Sequence, residues 1–153
     1  MRFFEQVVGV YFDDLDPFYI LHNARYLLLF ERTLGAFWMH IGFGAFQDSD
    51  QPDRFHLVRH NEVEYLQPVR GVGKVRIRLW VQHIGRTSLT FAFRMLPIDR
   101  DIDFARGRRT IVRVGETTLK PTPWTDDFRR IMQSWLGDGG STAVGQDDEE
   151  ASI

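Results

Sequence analysis

The chain has 153 residues, of which 43% are hydrophobic and 14% are aromatic. These values predict one domain with a substantial core and little disorder away from its ends. The net charge of −2 gives no electrostatic reason to expect nucleic acid as a partner. The absence of cysteine excludes disulfides, thiolate metal sites and a cysteine nucleophile, and it is typical of a reducing compartment.

No segment of the sequence is typical of export or membrane insertion. The first ten residues lack the basic region and the long apolar region of a signal peptide. The apolar run within residues 26–39 is interrupted by Arg32 and Gly35, and it is too short to span a bilayer. We therefore expect a soluble cytoplasmic protein that does not associate with a membrane.

Apolar side chains at period two predict a first strand over residues 2–12. An acidic loop, residues 13–21, follows this strand. Within the loop, Pro17 biases the backbone of Asp16 towards an extended conformation and away from helix. The loop is the first acidic feature of the chain and leads directly into its longest apolar segment.

A long helix is predicted from about residue 24 to about residue 40. Asn23 is a good N-cap, because its side-chain oxygen can accept a hydrogen bond from the first turn, and Gly42 ends the helix. Leucines beside the main apolar stripe widen it, so we expect the helix to be enclosed over most of its circumference. The stripe consists of Tyr26, Phe30, Leu34, Phe37 and Ile41.

Everything after residue 55 is strand-like until a short second helix. Short turns between successive strands predict an antiparallel meander. Thr125 can cap the second helix, which carries Phe128 on its apolar side. We expect one domain over residues 1–136 and a disordered acidic tail over residues 137–153. The predicted strands cover residues 55–65, 72–85, 87–98 and 105–115.

Several segments resemble one branch of a known family. Asp14-Leu-Asp16-Pro is followed by Ile20-Leu-His-Asn-Ala-Arg-Tyr26 and by Phe30-Glu31. With residues 63–68 and 84–91, these segments are similar to the 4-hydroxybenzoyl-CoA thioesterase-like branch of the hotdog-fold superfamily. The resemblance covers about residues 5 to 125, and the order and spacing of its segments are specific for the fold.

The resemblance implies an α+β hotdog fold, with a long central helix wrapped by a curved antiparallel sheet of about five strands. It also implies hydrolysis of an acyl-CoA or acyl-carrier-protein thioester at sites between the subunits of a homodimer or homotetramer. The histidines show no metal-ligand spacing, and we expect neither a metal nor a cofactor. Asp16 matches the catalytic aspartate of the family. Asn23 falls where a backbone N–H faces the thioester oxygen. Tyr19 departs from the pattern, since many relatives have glycine there.

Thioester hydrolysis needs a carboxylate base or nucleophile and stabilisation of the developing oxyanion. Asp16 can supply the first, and the positive end of the helix can supply the second. Asp13 and Asp14 are rival loop carboxylates, although capping of the loop or exposure to solvent is the simpler interpretation of Asp14. Glu31 is the second choice for the catalytic acid, although an ion pair with an arginine is its simpler explanation.

Other residues are candidates for substrate contact. The resemblance places Thr87 and Ser88 near the substrate, and His22 could orient it or share a proton with Asp16. Aromatic residues of the loop and helix favour an apolar or aromatic acyl group; these are Phe18, Tyr19, Tyr26 and Phe30. Arginines on the strands could hold CoA phosphates; these are Arg76, Arg78, Arg106, Arg108 and Arg109.

Two further interpretations stay open at this stage. The chain could be a non-catalytic acyl-thioester-binding protein, a sensor or a carrier, and Tyr19 favours that alternative. A third interpretation, an enoyl-thioester hydratase, is not supported, because such an enzyme would carry an Asp/His pair at a spacing that this sequence lacks. If the resemblance is accidental, a helix and curved sheet of the cystatin or nuclear-transport-factor kind remains.

Overall fold

The computed structural model describes residues 2–138, which form a curved five-stranded antiparallel sheet and two helices. The predicted α+β class is confirmed. The strands are β1 (Phe4–Val10), β2 (His56–Tyr65), β3 (Gly73–Ile84), β4 (Ser88–Leu96) and β5 (Ala105–Arg113). The helices are α1 (Tyr26–His40) and α2 (Asp126–Gln133).

The core lies between α1 and the inner faces of β3 and β4. Alternate residues of the two strands are at most 2% exposed, as their period-two pattern predicts. Phe30 of α1 stacks on Phe93 of β4 with ring centroids 4.3 Å apart. A Cβ at Gly107 would lie 2.3 Å from the Phe93 ring, so glycine keeps the space that this stack needs. The buried strand residues are Val75, Ile77, Leu79, Val81, Leu89, Phe91, Phe93 and Met95.

Helix α1 is shorter and less enclosed than the sequence predicted. It has fifteen residues, and Met39 on its outer side is 67% exposed. One sheet can cover only one side of a helix, so Glu31 and Arg32 face outward. Neither α1 nor α2, the helices of residues 2–138, has the length and apolar character that crossing a bilayer requires.

The strand order is β1-β3-β4-β5-β2, which only partly matches the predicted meander. Strands β3, β4 and β5 are successive neighbours, but β2 pairs with β5 at the far edge of the sheet. The segment between β2 and β3 crosses the sheet beside the acidic loop, where Ile20 bridges to Arg70. Crossing there brings the end of β2 against the loop that precedes the helix.

Helix α2 closes the opposite end of the core. Thr125 is its N-cap as predicted, and its hydroxyl accepts a hydrogen bond from the N–H of Phe128 at 3.2 Å. The buried carboxylate of Asp53 accepts from the N–H of Thr125 at 2.9 Å and from its hydroxyl at 2.7 Å. Gly137 then donates to the carbonyl of Val81. Almost all of the predicted tail lies outside the described residues, so its disorder stays a prediction.

Candidate active site

A cleft of about 440 Å³ opens between the acidic loop, the start of α1 and the end of β2. It brings together four of the residues predicted for the site, namely Asp16, His22, Asn23 and Tyr26. It also contains Tyr65, which the sequence did not indicate. Pro17, Phe18, Ile20 and Leu21 complete the lining.

Asp14 folds the loop that forms one wall of the cleft. One carboxylate oxygen of this buried residue accepts from the N–H of Tyr11 at 2.9 Å, and the other lies 3.7 Å from the Nε of Arg25. The Asp14 carbonyl accepts from the N–H of His22 at 2.9 Å. Because both its carboxylate and its backbone hold the loop closed, Asp14 has the capping role that was its simpler interpretation.

Asp16 presents one tethered oxygen and one open oxygen. Its Oδ1 accepts from the N–H groups of Phe18 at 2.8 Å and Ile20 at 3.3 Å, which is an Asx-type turn. Its Oδ2 accepts from no group among residues 2–138. The side chain is half-buried in the cleft wall. The turn therefore fixes the carboxylate while leaving one oxygen available to a ligand or a water molecule.

The helix start differs from the sequence prediction in its cap. A 3-10 turn over Asn23–Arg25 precedes α1, and His22 rather than Asn23 is the cap. The Nδ1 of His22 accepts from the N–H of Ala24 at 3.1 Å. Histidine is not among the preferred N-cap residues. The preferences of N-cap residues therefore predicted the neighbouring Asn23 instead.

The peptide group between His22 and Asn23 directs an N–H out of the helix. The His22 carbonyl accepts from the N–H of Arg25 at 2.9 Å, so this carbonyl points into the first turn. In a trans peptide the N–H points the opposite way, and the Asn23 N–H donates to no acceptor among the described residues. The positive end of the helix dipole adds to its attraction for an anionic oxygen.

Two tyrosines form the apolar wall of the cleft. The rings of Tyr26 and Tyr65 meet edge to face with centroids 4.8 Å apart. The Tyr65 hydroxyl donates to the carbonyl of Asn23 at 3.1 Å. Burial, with smaller contributions from the neighbouring Tyr65 and Asp16, raises the pKa of Tyr26 to about 12. Tyr65 was missed because 42 residues separate it from Asn23 in the sequence.

Tyr19 does not line the cleft. Its backbone has φ of 62°, a left-handed conformation that glycine adopts freely. Its exposed side chain leans over Gly71, whose N–H donates to the Tyr19 carbonyl at 2.9 Å. The positive φ gives a physical reason for the family's glycine at this position. Here the aromatic ring turns away from the cleft, whereas the neighbouring Phe18 lines it.

Thr87 and Ser88 lie at the other end of the sheet. Ser88 is opposite Val112 of β5, whereas Tyr65 is opposite Ala105. Seven residues along β5 separate these two positions, about 23 Å at strand spacing. Within one protomer neither Thr87 nor Ser88 meets the cleft, and their contact with substrate stays a prediction.

The remaining charged candidates are engaged in ion pairs. Glu31 accepts from the Nη1 of Arg109 at 3.1 Å, which is the expected pair with a strand arginine. Arg109 is buried and also donates to Asn61 at 2.8 Å. Arg108 pairs with Glu62, and Arg106 with Asp103; Arg76 and Arg78 contact Glu5. Phosphate binding by any of them stays a prediction.

Residues 10–133 match the model of the thioesterase-like superfamily. The chain belongs to this superfamily. It is therefore a thioester hydrolase, and the family resemblance noted in the sequence is confirmed. A comparison with curated proteins gives no match.

Solved structures share the fold of this thioesterase-like chain. A Pseudomonas aeruginosa protein has 18% identity and a TM-score of 0.77, over 89% of this chain and 93% of that one. A predicted thioesterase from Bacillus stearothermophilus has 21% identity and a TM-score of 0.76, over 91% and 100%. A 1,4-dihydroxy-2-naphthoyl-CoA thioesterase from Synechocystis has 12% identity and a TM-score of 0.73, over 86% and 96%. At these identities the likeness establishes the hotdog fold alone.

Proposed function

We propose that the chain hydrolyses an acyl-CoA or acyl-carrier-protein thioester in the cleft at the start of α1. The observation that carries this proposal is the convergence of two groups on one cleft. The open Oδ2 of Asp16 is a base or nucleophile, and the outward N–H of Asn23 is an oxyanion donor.

Asp16 acts as a base in the simpler form of the mechanism. It takes a proton from water as the water oxygen bonds to the thioester carbonyl carbon. The carbonyl oxygen becomes an oxyanion that accepts a hydrogen bond from the Asn23 N–H. The carbonyl then re-forms, the C–S bond breaks, and the departing thiolate recovers the proton from Asp16. The products are a carboxylic acid and a thiol.

Asp16 acts as a nucleophile in the other form. Its carboxylate attacks the carbonyl carbon, the thiolate leaves, and water hydrolyses the resulting mixed anhydride. A single turnover in ¹⁸O-labelled water identifies the nucleophile form if the label enters Asp16. The base route puts ¹⁸O into the product acid, whereas attack of water on the aspartyl carbon of the anhydride puts it into Asp16.

Aromatic side chains support an apolar or aromatic acyl group. Phe18, Tyr26 and Tyr65 line the cleft. Phe30, also considered for this lining, is fully buried against Phe93 and has no access to a ligand. We therefore propose a different set of aromatic contacts with the acyl group from the one that the sequence predicted, without Phe30 and with Tyr65.

A homodimer joined at β2 is part of the proposal. Strand β2 is at an edge of the sheet, so one row of its backbone groups has no strand partner within residues 2–138. Antiparallel pairing about a two-fold axis would bring the His56 end of one copy beside the Tyr65 end of the other. Ser88 lies at the His56 end, so a second copy could carry Thr87 and Ser88 towards the cleft.

A panel of acyl-CoA substrates, with thiol release as the readout, tests the proposal. Asp16→Asn keeps an oxygen that can accept from Phe18 but removes the base. We expect kcat to fall about 1,000-fold, with an unchanged Tm. Asp13→Asn is the matched control, because it removes the same charge from the same loop and its carboxylate is exposed. Tight substrate binding without thiol release in the parent protein would contradict the proposal and favour a carrier.

A further inference from the structure

His22 has a fixed pattern of hydrogen-bonding nitrogens. Its Nδ1 accepts from the N–H of Ala24, so this nitrogen carries no proton, and in the neutral ring the proton is on Nε2. The exposed ring also borders both the main cleft and an adjoining cleft beside Arg25. The N-cap thus leaves the Nε2–H of this exposed ring as a donor that is not used by the cap.

Tyr65 holds the other end of the same peptide group. The carbonyl of Asn23 and the N–H of Ala24 belong to one peptide unit. The Tyr65 hydroxyl donates to that carbonyl at 3.1 Å, while the N–H donates to His22. Successive hydrogen bonds of this kind polarise one another. The donation from Tyr65 therefore strengthens the bond that keeps Nδ1 of His22 as an acceptor.

We propose that the Nε2–H of His22 is a second donor to the thioester oxygen, beside the N–H of Asn23. Tyr65 is then a positioning residue, which acts through the Asn23–Ala24 peptide. This inference rests on the proposed function and assigns a role to two side chains of the same cleft. Both donors act on charge that develops only in the transition state, so their loss should lower kcat more than it raises KM.

Two substitutions separate a donor from a simple cap. His22→Ser retains an N-cap oxygen but is too short to place a donor where Nε2 lies. We expect kcat to fall about 100-fold, with KM and Tm close to those of the parent. His22→Ala should show the same loss of kcat and also lower Tm by about 3 °C. A kcat for His22→Ser equal to the parent value would overturn the proposal.

Tyr65→Phe removes one hydroxyl and tests the positioning role. We expect kcat to fall about fivefold, with little change in KM. Nitrogen NMR of the ring gives a readout that does not depend on activity. The parent protein should contain His22 in the Nε2–H form, and Tyr65→Phe should shift it towards the other tautomer. An Nδ1–H form in the parent would overturn the proposal even if no thioester is hydrolysed, so its failure is distinct from that of the proposed function.

Discussion

A carboxylate lies near each end of α1, and the two carboxylates differ in how many of their oxygens accept hydrogen bonds. Asp53, near the C-terminal end, is fully buried, and both of its oxygens accept from Thr125. Asp16, near the N-terminal end, is half-buried and has one oxygen bonded within its own turn. A fully bonded carboxylate serves the stability of the fold, whereas an oxygen left open in a cleft is available for chemistry.

The packing around the two ends of α1 also differs, since the C-terminal end is more tightly packed than the N-terminal end. The C-terminal end is packed by aromatic rings, among them Trp38 and Phe46 with centroids 4.5 Å apart, and Trp124 on Phe128 at 4.7 Å. The N-terminal end is held by hydrogen bonds and by the contact of Tyr26 with Tyr65, and it opens to solvent through the cleft. Substitutions at one end should therefore change stability, and substitutions at the other should change turnover.

The largest effect on stability is expected from Asp53→Ala. The substitution leaves the N–H and hydroxyl of Thr125 without their acceptors and removes the carboxylate near the Nε of Arg113, 3.8 Å away. We expect a loss of about 3 kcal/mol, measured by chemical denaturation, and an unchanged kcat for the folded fraction. Asp50→Ala, in the same loop but exposed, is the control. Equal stability of the two variants would remove the distinction between the two carboxylates.

A smaller effect is expected from Glu31→Gln, which compares the second-choice acid with Asp16. The exposed Glu31 forms one end of a pair with the buried Arg109, so its loss should cost about 1 kcal/mol. We expect kcat to change by less than about threefold, because this side chain is not among those lining the cleft. A loss of kcat as large as that of Asp16→Asn would reassign the catalytic acid.

Tyr26 should make stability fall at alkaline pH. Its pKa is about 12 in the folded chain against an ordinary value of 10.0. A raised pKa means that the folded state holds its proton where the unfolded state has lost it. The contribution of Tyr26 to the free energy of unfolding is therefore complete below pH 10 and is lost as the pH rises towards 12. Urea denaturation across that range should give a shallower decline for Tyr26→Phe, and identical slopes would contradict the assignment.

The smallest effect is expected from Tyr19→Gly. Glycine relieves the cost of a left-handed conformation, about 1 kcal/mol, but it loses the contact over Gly71 and increases the freedom of the unfolded chain. The net change in stability should stay below about 1 kcal/mol, with kcat nearly unchanged because the ring lies outside the cleft. A large gain in kcat would mean that the tyrosine obstructs the substrate.

Local patterns predicted much of the fold. The period-two alternation identified the buried faces of β3 and β4, and Thr125 was identified as the cap of α2. Asp16 precedes Asn23 at the helix start by only seven residues in the sequence, and the two line one cleft. Each of these features depends on residues that are near one another along the chain.

Features that depend on residues far apart in the sequence could not be predicted from local patterns. The alternation of residues within β2 does not indicate which strand pairs with it, so the pairing of β2 with β5 was not predicted. Tyr65 meets Asn23 only because of that crossing. Arg109 was a candidate for binding CoA phosphates, but it is buried, and its partners Glu31 and Asn61 come from two other elements.

The measurement that tests the central claim most directly follows the amide of Asn23 while the cleft is filled. A ketone analogue of acyl-CoA, with CH₂ in place of sulfur, keeps the carbonyl oxygen and cannot be hydrolysed. In ¹H–¹⁵N NMR titration we expect the Asn23 amide proton to move downfield, while the Thr125 amide bound to Asp53 stays unchanged. Saturation of binding with an unmoved Asn23 resonance would contradict the account.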